Sequence, residues 1–426
     1  MTQRFAVSLP AALAALCLSA ATASASEVLV VRDGRVTVEQ DPYLPPAAAT
    51  ELAPPPGAAA SAAATPGARA ARTTVSGALK KALKAGQIKQ ADHDSYLEIY
   101  KDGRRARKKA GARCRVQLRS VLVTLERLAK DGQLTASRMP VLFLQLMHNT
   151  NFWTMSPKPL IDAGDRVTFD KSPVVFQHYK RQGLQIQPLG NFGKANGLWK
   201  ACQEAELDPT VSCRRKALRR LLSRMTSLAS KRGGFTTWEY FFSFGGGRPP
   251  WASGMAQATG IQALARGAEM FANKRYARTA SSALGIFEKG PPVGVKVRSG
   301  RGAHYALYSF SPGLRVLNAF VQTLVGLRDF STITGSDKAK LLFKRGDRAL
   351  RKELPKYDDG DWSLYSIKGA EASYSYHDLA TAFLENLCER TGTKTYCRYA
   401  KRFRKYQGER EKPGPGEPSP RSCGVT

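Results

Sequence analysis

The stretch Trp251–Phe271, WASGMAQATGIQALARGAEMF, has the apolar spacing that decides the fold class of this chain. Its apolar residues recur at intervals of three and four, which places them on one face of a helix. The stripe consists of Ile261, Leu264, Ala265, Ala268 and Phe271. A second stripe has the same spacing: Leu314, Leu317, Phe320, Val321, Leu324 and Val325. Apolar faces of this width predict helices that are packed into a core.

The same periodicity predicts a run of helices beyond residue 196. They are Arg214–Lys231, Ser253–Ala272, Lys274–Glu288, Leu314–Phe330, Asp337–Leu354, Tyr376–Arg390 and Thr395–Tyr406. Their spacing suggests hairpins, and paired helices of this kind fit an α/α toroid whose functional loops lie at one mouth. The sequence therefore predicts a mainly α fold, with an incomplete α/α barrel as its C-terminal domain.

Two other patterns precede this helical run. Apolar residues in Val75–Leu146 recur at helical spacing, with Gly and Asp at the turns, and predict about four helices. Residues 166–190 instead alternate apolar and polar positions around Lys180–Gly183, which predicts a β-hairpin. The toroid is thus expected to follow a small strand segment and an N-terminal helical region.

These patterns divide the chain of 426 residues into six segments. They are a signal peptide (1–25), an Ala/Pro-rich linker (26–72), an N-terminal helical region (73–160), a strand-rich segment (161–200), the toroid domain (201–406) and a disordered tail (407–426). A content of 42% hydrophobic residues is enough for one large core or two moderate ones.

The first 25 residues have the composition of a secretory signal. Arg4 precedes an apolar run from Phe5, and small residues near Ala25 offer a cleavage site. No later apolar run approaches the length of a membrane span, so we expect an exported, extracytoplasmic protein without a later transmembrane segment. A retained signal anchor is the alternative.

The cysteines agree with an oxidising compartment. Six remain after removal of the signal, and their short spacings pair Cys202 with Cys213 and Cys388 with Cys397. Zinc-binding spacings such as CxxC or HExxH are lacking, so we expect no metal and no cofactor.

The net charge of +32, from 66 basic and 34 acidic side chains, predicts attraction to polyanions. The sequence carries no nucleic-acid-binding signature. Together with the predicted export, this favours an anionic glycan as partner over nucleic acid. The alternative is that many of these charges only solvate helix surfaces.

The segment Tyr357–His377, YDDGDWSLYSIKGAEASYSYH, concentrates groups suited to proton transfer. A phenol acts as a base only when a nearby cation lowers its pKa from about 10. Lys368 follows Tyr365 by three residues, and Tyr376 and His377 close the segment. A tyrosine-rich loop that merely packs into a core is an equal alternative on these residues alone.

Four ordered blocks of this sequence resemble the C-terminal domain of the D-glucuronyl C5-epimerases. They are WASGMAQATGIQALARGAEMF, YSFSPGLRVLNAFVQTLVGL, YDDGDWSLYSIKG and SYSYHDLA. The last two are similar to the family's YDTGSG-x-IYDLRH and RWDYHTTH motifs. The resemblance covers roughly residues 232–405. It implies an α/α toroid that inverts C5 of a uronic acid residue in a polysaccharide, D-glucuronate to L-iduronate, without a cofactor.

The resemblance also implies roles for particular residues. The family's active-site tyrosines correspond to Tyr308, Tyr365 and Tyr376, and its arginine corresponds to Lys368, the expected carboxylate-facing cation. Asn318 matches a family asparagine and is a candidate donor to substrate. His377 is expected to orient Tyr376 or to cap the following helix. Family members can be dimeric, so a homodimer is compatible with the resemblance.

One position departs from the family. The carboxylate that precedes the tyrosine in the family's WYEEYP motif is replaced by Leu307 in HYALYS. Three explanations remain open. Tyr308, His304 or Glu239 has taken over the role, the substrate or direction differs, or the domain binds glycan without turnover.

The segment GGFTTWEYFFSFGGGRPPW contributes three further candidates. Aromatic neighbours would raise the pKa of the Glu239 carboxyl by desolvation, Trp251 is placed to stack on a sugar ring, and Arg248 adds a cation. A buried structural glutamate and a tight connector are the alternatives. Besides epimerisation, a uronate lyase or a non-catalytic basic glycan-binding protein would account for the same residues.

Overall fold

The computed structural model describes residues 26–46, 73–157 and 159–410. These ranges contain twelve α-helices. The first four are α1 (Val75–Lys84), α2 (Gln90–Lys109), α3 (Ala112–Lys130) and α4 (Met139–Trp153). The other eight are α5 (Pro188–Glu204), α6 (Arg215–Ser227), α7 (Gly254–Phe271), α8 (Lys274–Ala283), α9 (Leu317–Thr334), α10 (Asp337–Glu353), α11 (Tyr374–Thr391) and α12 (Lys394–Glu409).

The last eight helices form two concentric rows. Helices α5, α7, α9 and α11 pack side by side in chain order as an inner row. Each of α6, α8, α10 and α12 packs on the inner helix that directly precedes it in sequence. Four hairpins arranged in this way make an incomplete α/α toroid, so the predicted mainly α fold class is confirmed.

The two rows differ in how much of each helix is buried. Nearly every residue of α7 up to Ala265 is buried, and so is every residue of α9 up to Leu327. The outer helices bury one stripe and expose basic faces. Close packing of the inner row depends on small residues: a Cβ on Gly326 of α9 would lie 2.5 Å from the Ala258 carbonyl oxygen of α7.

The N-terminal helical region has the four helices that the periodicity predicts. Helix α4 lies between α2 and α3 on one side and the β-sheet on the other. Its buried Asn149 donates through Nδ2 to the Leu184 carbonyl oxygen and accepts through Oδ1 from the Leu184 amide. This side chain therefore satisfies a strand edge that would otherwise lie unpaired against a helix.

A five-stranded sheet lies beside the toroid, with the strand order β2-β1-β3-β4-β5. The strands are β1 (Ser26–Arg32), β2 (Arg35–Asp41), β3 (Arg166–Phe169), β4 (Val175–Tyr179) and β5 (Gly183–Ile186). The antiparallel β4–β5 pair confirms the predicted hairpin. Four short strands form two further hairpins: β6 (Ser230–Arg232) with β7 (Phe235–Thr237), and β8 (Lys296–Ser299) with β9 (Gly302–Tyr305).

Part of the predicted linker is ordered. Its first residues form the β1–β2 hairpin, and β1 runs parallel to β3 in the sheet. The alternation of Val28 and Val30, both buried, is the strand signal that the Ala/Pro-rich composition of residues 41–72 obscured. Residues 1–25 and 47–72 lie outside the described residues. The predicted disordered tail at 407–426 overlaps α12, which continues to Glu409, and residues 411–426 lie outside the described residues.

The first toroid helix, α5, lies where a strand-rich segment was expected. Pro188 opens it, and the Gln187 side chain accepts a hydrogen bond from the Gly190 amide as a cap. Gly193 and Gly197 weaken its helical signal, but both allow close contact with the chain at Tyr43 and Pro45. The toroid therefore starts at residue 188 rather than 201.

Two disulfides close helix–helix connections. Cys202–Cys213 joins the end of α5 to the start of α6, and Cys388–Cys397 spans the α11–α12 turn. Both pairings match the sequence prediction, whereas Cys114 is buried and free. Within the described ranges, no helix combines the length and apolar composition that a membrane crossing requires.

Candidate functional site

Three loops meet at one end of the toroid, each preceding an inner helix. The loop before α9 is hydrogen-bonded to the start of α7, because the Gly254 amide donates to the Leu307 carbonyl oxygen. The loop before α11 joins the same region through the Leu317 amide, which donates to the Tyr365 carbonyl oxygen. We call this end of the toroid the tyrosine mouth, for the phenols that these loops bring together.

Tyr308 is the wholly buried member of the group. Phe310 stacks on its ring at 5.2 Å between centroids, and Phe244 and Trp251 meet it edge-on at 5.7 and 5.6 Å. Burial raises the pKa of Tyr308 well above 10. Its phenol therefore stays protonated at neutral pH and is suited to donate a hydrogen bond rather than a proton.

Tyr365 and Tyr376 are half-buried and meet each other edge to face, with ring centroids 5.0 Å apart. Tyr365 lies in the loop before α11, and Tyr376 lies in the first turn of α11 beyond the Ser373 cap. Burial is the largest cause of the raised pKa of Tyr308, and the charges of these two phenols are the next largest. The three tyrosines that the sequence selected thus share one site.

Lys368 follows on the same loop and is exposed, with a left-handed φ of 62°. A β-carbon makes this conformation unfavourable, so the loop holds Lys368 in a defined, strained position. The backbone of Arg315 lies beside this loop, because its carbonyl oxygen accepts a hydrogen bond from the Ile367 amide. Sequence reasoning missed Arg315, because only this contact joins it to the loop of Lys368.

Arg315 also reaches a buried carboxylate. Its Nη1 donates to Glu353 Oε1 at 2.7 Å, while the other oxygen of Glu353 lies 2.8 Å from Nδ1 of His304. Burial alone would raise the pKa of Glu353, but hydrogen bonds from His304 and Ser299 and the charge of Arg315 hold it below its usual value. Burial lowers the pKa of His304. Because His304 is fully buried, its ring does not line the mouth.

Glu239 is not the desolvated, unpaired acid that its aromatic neighbours suggested. The carboxylate accepts two hydrogen bonds from Arg138, at 2.6 and 2.9 Å, and one from Arg232 at 2.7 Å. All three side chains are at least nine-tenths buried. This ion triad joins the N-terminal helical region to the toroid. It is a structural arrangement in which both carboxylate oxygens are occupied.

Trp251 is also part of the scaffold in this structure. Its ring stacks on Tyr240 at 4.1 Å between centroids, and its indole N–H donates to the Phe242 carbonyl oxygen. Only 1% of Trp251 is exposed, so it supports the mouth from below and does not present a face to a sugar. Arg248, on the loop above it, is exposed.

Two other candidates are held by internal contacts. Asn318 is buried at the start of α9, where its Oδ1 accepts from the Ala319 amide. His377 stacks on Trp362 at 3.6 Å, and its ring nitrogens bond Ser363 Oγ and the Phe403 carbonyl oxygen. His377 therefore ties the loop before α11 to α12, and both ring nitrogens have partners other than Tyr376.

Leu307 lies in the apolar cluster beneath the mouth, 7% exposed, together with Tyr240, Trp251 and Tyr308. The position where the family carries a carboxylate is thus apolar in its surroundings as well as in its side chain. Among the described residues, no group of three or more His, Cys, Asp or Glu side chains is arranged to hold a metal.

The fold and the mouth define a class of protein: a helical toroid with tyrosines on the loops at one end. Residues 232–405 match the family model described as D-glucuronyl C5-epimerase C-terminus. The match falls on the part of the chain whose motifs resemble that family.

Two curated relatives are similar to parts of the chain. The chain is 32% identical over 133 residues to the D-glucuronyl C5-epimerase of Caenorhabditis elegans, covering 28% of this chain and 22% of that protein. It is 28% identical over 177 residues to an uncharacterized protein of Methanocaldococcus jannaschii, covering 40% of this chain and 58% of that protein. The chain therefore spans less than two thirds of the length of either relative.

Among solved structures, the chain is similar to cellobiose 2-epimerase from Bacillus thermoamylovorans, with a TM-score of 0.39 and 11% identity. The match covers 71% of this chain and 76% of that structure.

Proposed function

We propose that this protein is a carbohydrate epimerase that inverts C5 of uronic acid residues in an anionic polysaccharide. The observation that carries the proposal is the pair of half-buried phenols, Tyr365 and Tyr376, whose ring centroids lie 5.0 Å apart and which act electrostatically on the buried phenol of Tyr308. The match of residues 232–405 to the C5-epimerase family model supports the reaction class.

The chemistry requires a cation as well as proton carriers. The C5 proton lies next to a carboxylate, and its removal develops negative charge on the carboxylate oxygens. We assign the neutralising role to Lys368, which is exposed and carried by the loop of Tyr365. Compared with an arginine, Lys368 contributes a point charge without a bidentate fork.

Inversion then needs one group to take the proton from one face of C5 and another to return a proton to the opposite face. Tyr365 and Tyr376 come from different elements, the loop and α11, and we assign one of the two faces of C5 to each. Tyr308, kept protonated by burial, supports them as a donor. The two reacting phenols exchange roles when the reaction runs in reverse.

A second candidate function is glycan binding without turnover. The observation that favours it is the apolar setting of Leu307 together with the complete burial of Tyr308 and the pairing of Glu239 in an ion triad. In that case, Lys368 and the mouth would recognise uronate groups without C5 chemistry.

Proton exchange at C5 distinguishes the two. The protein is incubated with a glucuronate-containing polymer in deuterated water, and deuterium at C5 is read by NMR. We expect incorporation into intact chains by the wild type and none by a Tyr365→Phe/Tyr376→Phe double variant. Tyr374→Phe, a nearby tyrosine outside the mouth, is the matched control. Binding without exchange would leave the glycan-binding function, and an unsaturated, shortened product would indicate a lyase.

The two disulfides fit an oxidising, extracytoplasmic compartment. We propose export on this ground and on the composition of residues 1–25.

A further inference from the structure

A basic groove runs along the outer side of the toroid, away from the tyrosine mouth. It consists of two adjoining cavities of about 660 and 490 Å³, which share Arg219 and Ser223 of α6. The first lies between α4, the β3–β4 turn and α6, and the second extends to the connection between α7 and α8. Two joined cavities of this size make an elongated groove rather than a pocket for one small molecule.

The groove and the mouth lie toward opposite ends of α7. Gly254, at the start of α7, is bonded into the mouth, whereas Ala272, just beyond its last residue, lines the groove. An α-helix of 18 residues is about 27 Å long. A ligand in the far part of the groove therefore does not occupy the tyrosine site.

Of the described residues that line the groove, none is acidic and six are cations. They are Lys171, Arg219, Arg220, Arg224, Lys274 and Arg275. Among the described residues, none of the six has a carboxylate within salt-bridge distance, although twenty-one such contacts occur elsewhere. Concentrating cations without counter-charges costs electrostatic energy, which a bound anion would offset.

The base of the groove adds an independent observation. His148, only 8% exposed, lines the first cavity, and its Nδ1 has no hydrogen-bond partner among the described residues. Half-buried Arg224 lies near enough to act on it electrostatically. A buried polar atom without a partner is uncommon in a folded protein, and this one belongs to a residue at the base of a cavity lined by cations.

We propose that this groove binds an extended segment of an anionic polysaccharide. The six unpaired cations match a chain that carries carboxylate or sulfate groups at intervals. Among the described residues, the aromatic side chains that line the cavities are the buried His148 and Phe271, and the guanidinium of Arg219 covers the Phe271 ring at 4.7 Å. The groove therefore lacks the open aromatic platforms that single-stranded nucleic acid uses for base stacking.

The test compares two triple variants of equal charge change in the full chain. The groove variant is Lys171→Gln/Arg220→Gln/Lys274→Gln, and the control is Lys344→Gln/Arg348→Gln/Lys352→Gln on α10. All six residues are exposed and lack a carboxylate partner in the described chain. The probe is a size-defined heparin octasaccharide, with neutral dextran and a single-stranded oligonucleotide of matched charge as further arms.

We expect the groove variant to weaken octasaccharide binding about tenfold and the control variant to leave it nearly unchanged, because only the groove holds cations at contact distance from the ligand. An equal loss of octasaccharide binding in both variants would mean that only the net charge of the protein matters, and it would overturn the proposal. Tighter binding of the oligonucleotide through the same residues would also overturn it.

The binding test of the groove and the C5-exchange test of the proposed function can fail independently. The groove variant retains Tyr365, Tyr376 and Lys368, so C5 exchange on a uronate disaccharide should be unchanged if the mouth is catalytic. Loss of exchange in the double phenylalanine variant with octasaccharide binding retained would place the groove outside the catalytic site. Unchanged melting temperatures would confirm that all variants are folded.

Discussion

Tyr365 and Tyr376 meet edge to face, with ring centroids 5.0 Å apart, although one lies on a loop and the other in a helix. The loop is fixed in place by backbone bonds to the start of α9, and the helix by its Ser373 cap. The spacing of the two phenols is therefore set by rigid elements on both sides, as a proton-transfer site requires.

The two phenols should act on opposite faces of C5. We expect Tyr365→Phe and Tyr376→Phe, made separately, to block deuterium exchange preferentially from different C5 isomers, since each removes one proton carrier. The measurement is NMR of C5 deuterium in glucuronate- and iduronate-containing oligosaccharides. Equal loss from both isomers in either variant would argue against the assignment of one face to each phenol.

Lys368 should contribute charge rather than stability. We expect Lys368→Gln to slow C5 exchange by about 100-fold, as removal of one group that stabilises developing negative charge does elsewhere. Because the side chain is exposed, the melting temperature should not fall. Lys368→Arg should preserve activity, and Lys356→Gln, an exposed lysine on the preceding turn, is the matched control. Full exchange activity in Lys368→Gln would remove Lys368 from the site.

Glu239 should prove structural. Glu239→Gln leaves Arg138 and Arg232 buried without a counter-charge, so we expect it to lower the free energy of unfolding by about 3–5 kcal/mol. Urea denaturation measures this. Glu204→Gln, which removes a more exposed i,i+4 partner of Lys200, should cost less than about 1 kcal/mol. Unchanged stability with lost exchange in Glu239→Gln would instead favour the acid/base role considered from the sequence.

His148 should make stability depend on pH. Burial, and then the charge of Arg224, lowers its pKa from 6.5 to about 4. Between these values, the unfolded chain takes up a proton that the folded chain does not. Stability should therefore fall as pH drops from 6.5 to 4, by up to about 3 kcal/mol, and this contribution should change no further below pH 4.

His148→Phe tests this directly, because the ring packs between Phe169 and Phe176. The variant should lose this part of the pH dependence in urea denaturation at fixed ionic strength. Other buried histidines contribute to the pH dependence of stability in both the wild type and the variant. The relevant quantity is therefore the difference between their two curves of unfolding free energy against pH. Parallel curves would contradict the prediction.

Close packing of the inner row should fail when Gly326 gains a methyl group. A Cβ there would lie 2.5 Å from the Ala258 carbonyl oxygen, a backbone atom that cannot move without shifting α7. We expect Gly326→Ala to destabilise the protein by about 1–3 kcal/mol. Gly313→Ala, where the added atom meets nothing within 4 Å, is the control. Thermal melting that is the same for both variants would refute this account of the packing.

The fold was predictable from sequence where local signals agree with burial. The stripe on α7 repeats at helical spacing, and the helix begins at the Ser253 cap and ends near Ala272, as the sequence indicates. Helix α5 was missed because Gly193 and Gly197 weaken its periodicity. The reason for glycine at these two positions is the close contact with Tyr43 and Pro45, which only the tertiary structure shows. Strand β1 was obscured by the Ala/Pro-rich composition of the residues that follow its hairpin with β2, and its other partner, β3, lies more than 130 residues away.

The sequence by itself determined which tyrosines belong to the candidate site, because their motifs are local and ordered along the chain. Only the tertiary structure decided their states: Tyr308 is wholly buried, whereas Tyr365 and Tyr376 are half-exposed. It also placed Glu239 between two arginines, one of them 101 residues distant in sequence. Burial and ion pairing are set by elements that are remote along the chain, so no local pattern encodes them.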